Sequence, residues 1–272
     1  MLLKHCIFPV AGFGTRFLPI TKSVPKELLP IGSKPLIQFA VEEAFGAGIN
    51  QFVFITNRHK NAIKNYFSPF KELEDHIKDS AVNLLLEGLN SLCLKSKFSF
   101  LYQEKMNGLG AAIQLANTLN IDSPFAVILP DDLCYSSEIS VLEQMIQIHR
   151  KFPDKCIVAL EEVEIESVSS YGIIHGNLIN NYNNLYSIES LIEKPSIDIA
   201  PSNLAVIGRY ILTPSIFKIL KDVSMDKNNE IQITDALNEM AKNGQVLGLK
   251  FTGNRFDCGK PAGLIEANNF FL

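Results

Sequence analysis

Two glycines and an arginine in "AGFGTRFLP", residues 11–19, are the first residues whose types and spacing could do chemistry. Glycines at 12 and 14 let backbone N–H groups come close to a ligand and converge on an anion. Arg16 adds a fixed fork of donors that matches phosphate oxygens, and Lys26 adds a point charge. Neither common nucleotide fingerprint is complete. Phe17 stands where G-x-G-x-x-G needs its last glycine, and no Gly-Lys-Ser/Thr follows. Pro19, Pro25 and Pro30 forbid a long helix directly after the loop, so an extended segment is expected there. A tight turn would explain the glycine pair alone; together with Arg16 and Lys26 it points to phosphate.

Acidic residues form a second group. Asp131 and Asp132 follow "AVILP", residues 126–130, a nearly continuous apolar run of the kind buried on both faces of a sheet. The carboxyl end of such a strand is where open α/β sheets bind ligands. Asp257 lies in "RFDCG", far away in sequence. Carboxylate oxygens suit Mg²⁺, which takes one or two protein carboxylates plus substrate phosphates. In "IEKP", Glu193 could accept from hydroxyls and Lys194 could meet a phosphate, although a solvated charge pair at a turn explains the same dipeptide. Gly172 in "YGII" could admit a sugar close to the backbone or simply mark a strand edge. The five histidines show no zinc spacing, and His175, inside a strand-like run, reads as structural. Five scattered cysteines without a C-x-x-C pair read as reduced, buried thiols.

These groups need a scaffold. Lys4–Pro9, Gln51–Thr56, Phe98–Gln103 and Phe125–Leu129 read as strands, alternating with helical stretches at Leu36–Gly46, Asn61–Phe67 and Gly108–Leu119. The rhythm predicts an α/β, Rossmann-like mixed and mainly parallel sheet with helices on both faces. Lys71–Leu94 interrupts it as an inserted helix pair, either a satellite core or a lid or subunit contact. Beyond a helix at Ile139–Phe152, strands are expected at Cys156–Val163, Gly172–His175, Leu185–Leu191 and Leu204–Leu212. "NLINNYNNL" makes a turn, and helices follow at Ser215–Leu220, Ile231–Asn243 and Ala262–Phe271. One domain over 1–272 is expected, with 1–135 and 136–272 forming its two halves. A net charge of −4 argues against nucleic acid and anionic membranes as partners. No run approaches the roughly 20 apolar residues of a bilayer span, and no signal-peptide pattern is evident; a cytoplasmic location is expected.

"GFGTRFLPITKSVPKELLPIGSKPLIQFAVEEA" resembles the signature of the sugar-nucleotide pyrophosphorylases, and most of all their bacterial uridylyl-transferring members. "FSPFKELEDHI", "VILPDDL", "YGII", "IEKP", "PSNLAVIGRYIL", "NEIQITDAL" and "FDCGKPAG" follow in the family's order. The resemblance implies Mg²⁺-dependent reaction of UTP with glucose-1-phosphate to give UDP-glucose and pyrophosphate. It assigns Arg16, Lys26 and Lys194 to the reacting phosphates, and Ala11, Gly12, Gly14, Gln103 and Gly108 to the nucleotide. Gly172, Glu193 and Val206 go to the sugar, and Asp131 and Asp257 to the metal; Asp132 either caps the next segment or holds a metal-bound water. A Gln side chain at 103 can bond the uracil edge. Relatives more often carry "KGLGHA" where this chain has Asn107 and Ala111, so nothing is carried over to those two positions. The resemblance also implies a homo-oligomer, dimer or tetramer. A thymidylyltransferase and a non-catalytic nucleotide-sugar-binding protein are the alternatives; the 71–94 insertion and "DCG" fit the uridylyl members better.

Overall fold

Apolar patterns of period two and period 3.6 alternate along the chain, and the computed structural model, which describes residues 3–77 and 80–272, shows the elements they encode. In order these are β1 (His5–Pro9), the two-residue strands β2 (Pro30–Ile31) and β3 (Lys34–Pro35), α1 (Leu36–Gly46), β4 (Gln51–Thr56), α2 (Asn61–Tyr66), α3 (Lys71–His76), α4 (Ser80–Leu94), β5 (Lys97–Tyr102), α5 (Leu109–Leu115), β6 (Phe125–Ile128) and β7 (Asp132–Tyr135). There follow α6 (Val141–Lys151), β8 (Cys156–Glu162), β9 (Gly172–Leu178), β10 (Leu185–Glu193), β11 (Leu204–Leu212), α7 (Ser215–Asp222), α8 (Ile233–Lys242), β12 (Val246–Lys250), β13 (Asn254–Asp257) and α9 (Pro261–Phe271).

Nine strands pair into one sheet in the order β5-β4-β1-β6-β11-β8-β12-β10-β9. Only β10 and β11 run against the rest, so the sheet is mixed and mainly parallel, as the sequence predicts. Alternation of side chains explains why the central strands look uniformly apolar. Cys6, Phe8, Phe52, Phe54, Ala126 and Ile128 enter one core, packed with α1 and α6 residues such as Val41 and Met145. Ile7, Val53, Ile55, Phe125 and Val127 enter the other, with α5, α7 and α8. A buried Arg209 on β11 pairs with Glu43 of α1 (Nη2 to Oε2, 2.7 Å) and donates to the Asp132 carbonyl. One guanidinium thus ties a helix to the turn that carries the acidic pair.

The expected insertion is the helix pair α3 and α4; Leu89 and Leu92 bury against the first core, while Leu73 and Leu84 stay exposed. Residues 78–79 and the side chain of Leu85 lie outside the described residues. The Asn-rich turn joins β9 to β10 as a hairpin, with Asn181 at φ 68°. His175 is exposed and faces Glu189 on the neighbouring strand. The five cysteines are unpaired; Cys6, Cys156 and Cys258 are buried as expected, whereas Cys93 and Cys134 are only partly so. Sequence reading misses β7, β12 and β13, and the two-residue β2 and β3. The apolar pattern of β12 is broken by Gly248, and β7 and β13 are four residues each, too short for periodicity to register. The proline-bearing segment 20–30 is not extended as expected but winds through 3-10 turns at Ile20–Lys22 and Lys26–Leu28, after another at Thr15–Phe17. Among the described residues no helix is long and apolar enough to cross a membrane.

Helix α6 starts on Ser140, whose Oγ accepts from Glu143 N (3.2 Å), and it buries His149. The His149 Nδ1 faces the Lys155 carbonyl, so Nδ1 carries the proton and Nε2 is buried without a hydrogen-bond partner among the described residues. Burial pushes its pKa below the ordinary histidine value. The unfolded chain therefore takes up a proton first as pH falls. The resulting stability is complete above about pH 6.5 and is lost as pH drops toward the folded-state pKa. Melting temperature should fall between about pH 7 and about pH 5.5, and by less in His149→Asn, which keeps an N–H donor but does not titrate; an unchanged slope in calorimetry contradicts this.

Candidate active site

The glycine loop leaves β1 and is held from behind. Val10 N extends the ladder to Ile55 O (2.8 Å), Asn57 Nδ2 donates to Ala11 O (2.6 Å), and Lys60 Nζ donates to Val10 O (2.8 Å). Two loop carbonyls are thereby taken by the β4–α2 turn instead of facing a bound anion. Lys60 also meets both oxygens of Glu27, at 2.7 and 2.9 Å, with both side chains nearly inaccessible. Burial pushes Glu27 up and Lys60 down, each opposed by its partner's charge. Gly14, at φ 66°, stands behind the cleft: a Cβ there would lie 3.1 Å from the Lys26 Cβ, so glycine lets the Lys26 turn pass. Gly12 has open space around it and lines the cleft with Ala11.

Lys26 Nζ reaches Asp131 Oδ2 at 2.5 Å. Burial alone would raise the Asp131 pKa, but the adjacent Lys26 ammonium holds the carboxyl below its ordinary range. Burial likewise opposes charge on Lys26, and Asp131 and Glu27 outweigh it, raising its pKa. Both groups are charged at neutral pH.

A two-stranded ribbon closes the sequence gap to the third carboxylate. β7 and β13 pair antiparallel with Asp132 opposite Asp257. Asp132 is consumed by this frame: its Oδ1 accepts from Arg255 (Nε 2.6 Å, Nη2 2.5 Å) and its Oδ2 from Gly208 N (3.0 Å). Neither expected role, capping the next segment or holding a metal-bound water, is what these bonds show: both carboxylate oxygens brace β13 and β11. Asp257 instead faces Asp131 across Gly259. A Cβ on Gly259 would lie 3.0 Å from Asp257 Oδ1, 3.1 Å from Asp131 Oδ2 and 3.7 Å from Arg16 Nη1. The missing side chain leaves a cradle that two carboxylates and a guanidinium share. Two hard oxygen donors fit Mg²⁺ completed by water and phosphate. Among the described residues no group of three or more His, Cys, Asp or Glu could hold a metal unaided.

Two arms open from this point, sharing Asp131, Gly108, Leu129 and Glu230. The larger, about 610 Å³, is lined by Arg16, Gly172, Glu193, Lys194, Val206 and Asp257 among others. Glu193 Oε2 accepts from Thr234 Oγ1 at 2.5 Å, and its Oε1 lies 3.2 Å from Lys194 Nζ. Lys194 sits at φ 46°, uncommon for a residue with a Cβ, and is pinned by its N–H to the Tyr171 carbonyl (2.9 Å). The smaller arm, about 290 Å³, holds Ala11, Gly12, Lys26, Gln103 and Met106. Gly108, at φ 98°, also has a packing reason to be glycine, since a Cβ would approach Ile231 O to 2.6 Å.

The cleft therefore gathers twelve of the thirteen residues named from sequence; Gly14 alone stands behind it. Comparison with known proteins gives the family. The family model described as "Nucleotidyl transferase" matches residues 7–272. The chain belongs to the nucleotidyl transferase family. It is an enzyme of the nucleotidyltransferase class. A UTP–glucose-1-phosphate uridylyltransferase of Pseudomonas aeruginosa is 46% identical over 271 residues, 99% of this chain and 96% of that protein. A crystal structure of apo UDP-glucose pyrophosphorylase superposes with a TM-score of 0.94 at 48% identity, covering 99% and 98% of the two chains. A UDP-glucose pyrophosphorylase complexed with UDP-glucose gives 0.90 at 47%, with the same coverage.

In this nucleotidyl transferase, several cleft residues escape sequence reading. Thr234 and Gln232 lie inside "NEIQITDAL", a matched segment to which no role attached. Lys260 bridges to Asp257 Oδ2 at 2.9 Å, and its i, i+3 spacing is the signal that could have found it. Arg255, stacked 5.0 Å over Tyr171 and bonded to Glu161 and Asp132, has no local signal. Neither does the Glu27–Lys60 pair. Lys60→Met strands a buried carboxylate and should cost about 3–5 kcal/mol in urea unfolding, with part recovered in Lys60→Met/Glu27→Leu; a cost below about 1 kcal/mol contradicts a buried, paired role.

Proposed function

We propose that this chain transfers the uridylyl group of UTP to glucose-1-phosphate, releasing pyrophosphate and forming UDP-glucose, with Mg²⁺ as its metal. The observation that carries the reading is the junction itself: Lys26, Asp131, Asp257 and Arg16 converge where a narrow arm meets a wider polar one. The names of the similar proteins support the same substrates.

The attacking atom is an oxygen of the sugar phosphate, ionised at neutral pH because a phosphomonoester's second pKa is about 6. No general base is needed. The obstacle is two polyanions meeting: a pair of unit charges 4 Å apart costs about 1 kcal/mol in water and about 4 kcal/mol near a protein surface. Catalysis then consists of charge compensation and alignment. Lys26 and Arg16 face the triphosphate and the departing pyrophosphate. Lys194, on its strained backbone, holds the sugar phosphate, while Glu193, oriented by Thr234, accepts from sugar hydroxyls. Gln103 and the backbone at Gly108 take the base in the narrower arm. Asp131 and Asp257 would hold the metal, which when bound would supply positive charge against the developing negative charge.

Steady-state pyrophosphate release from UTP and glucose-1-phosphate tests the reading. Lys26→Ala and Asp131→Asn should each lower kcat on the order of 10²–10³-fold in a folded protein, and chelation should abolish turnover until Mg²⁺ is restored. Near-parental kcat in both variants, or full activity in chelator, contradicts it.

A further inference from the structure

The narrower arm contains a device that the assignment of Gln103 to the base does not explain. Gln103 is buried, and its Nε2 donates to the Asn107 Oδ1 (3.0 Å) and to the Gly108 carbonyl (3.2 Å). An amide nitrogen carries two hydrogens, and both are committed. A backbone carbonyl can only accept, so the Gly108 bond fixes which way the carboxamide is turned. The Gln103 backbone N–H is also committed, to Thr56 O at 2.8 Å. What this side chain can offer a ligand is an acceptor alone, its Oε1.

Resting on the function proposed above, we propose that Asn107 is a positioning residue for nucleotide choice, making Gln103 an acceptor-only reader of the base. A uracil ring presents an N3–H donor on its pairing edge, whereas cytosine presents a bare N3 acceptor at the same place. An acceptor facing the first makes a hydrogen bond; facing the second, it leaves two buried lone pairs opposed. Thymine also carries N3–H, so the device separates UTP from CTP and is blind to UTP against dTTP.

The Asn107 backbone is secured independently of its side chain. Its carbonyl accepts from Ile231 N (2.8 Å) and its N–H donates to Lys105 O (2.9 Å). Truncating the side chain therefore releases one Nε2 hydrogen and weakens the hold on the carboxamide by one bond of two. A turned amide, with its donor toward cytosine, becomes correspondingly easier to reach.

The experiment measures kcat/KM for UTP, CTP and dTTP with glucose-1-phosphate in the parent, Asn107→Ala, Asn107→Leu and Asn107→Asp. The UTP-to-CTP ratio should fall about threefold to tenfold in Ala and Leu, with the loss of UTP efficiency carried by KM, and the UTP-to-dTTP ratio should stay constant. Asp, which keeps an acceptor oxygen for Nε2, should retain the parental UTP-to-CTP ratio even if added charge weakens both nucleotides together. An unchanged UTP-to-CTP ratio in Ala and Leu, or equal losses for all three nucleotides, overturns the role of Asn107 and leaves uridylyl transfer standing. Failure of the parent to use UTP overturns both. If a truncation does not fold, equilibrium binding of UTP and CTP to the Asp variant and parent still decides: loss of selectivity with the acceptor in place contradicts the device.

Discussion

Like charges must be brought together in this cleft, and the contact between Lys26 and Asp131 is the point from which the rest of the architecture is organised. A half-buried ammonium lies against a carboxylate at the meeting of two arms, and each keeps the other charged. Around it the protein arranges a second carboxylate, a guanidinium and a glycine that keeps the space between them open. Positive groups alone would bind phosphate but would repel a metal; carboxylates alone would repel the substrates. Alternating the two at a few ångströms allows both.

Holding that alternation requires rigid support, and the fold supplies it from three directions. The Glu27–Lys60 pair and Asn57 anchor the glycine loop to the β4–α2 turn. Arg209, bonded to Glu43 and to the Asp132 carbonyl, and Arg255, bonded to the Asp132 and Glu161 carboxylates, lock the β7–β13 ribbon onto the sheet. Ile231, bonded through both N–H and C=O to the 107–110 segment, joins the C-terminal half to the narrower arm. Buried ion pairs of this kind contribute little net stability against apolar equivalents, but losing one partner is costly, which makes them suited to fixing geometry.

The strands and helices of the parallel half were legible because they are long, periodic and bounded by turn residues. Gln51–Thr56 and Leu36–Gly46 match to the residue. That twelve of the named residues line one cleft was legible because residue chemistry limits which types suit such a cleft, and the ordered resemblance limited their positions. What could not be read was pairing across long sequence distances. The register that sets Asp257 opposite Asp132 depends on two four-residue strands with no periodic signal. Gly14 reads as a ligand glycine, yet its reason is the passage of Lys26, visible only in three dimensions. The 3-10 turns of residues 15–28 were hidden because proline fixes φ but leaves open whether the chain then turns or extends.

One structure determination bears most directly on the central claim: the protein crystallised with UDP-glucose and Mg²⁺. The base should lie beside Gln103 and Gly108, the hexose beside Glu193 and Gly172, and the diphosphate and metal at Asp131 and Asp257 within reach of Lys26. A ligand lying with its diphosphate away from Asp131 and Lys26, or a metal bound without either carboxylate, would contradict it.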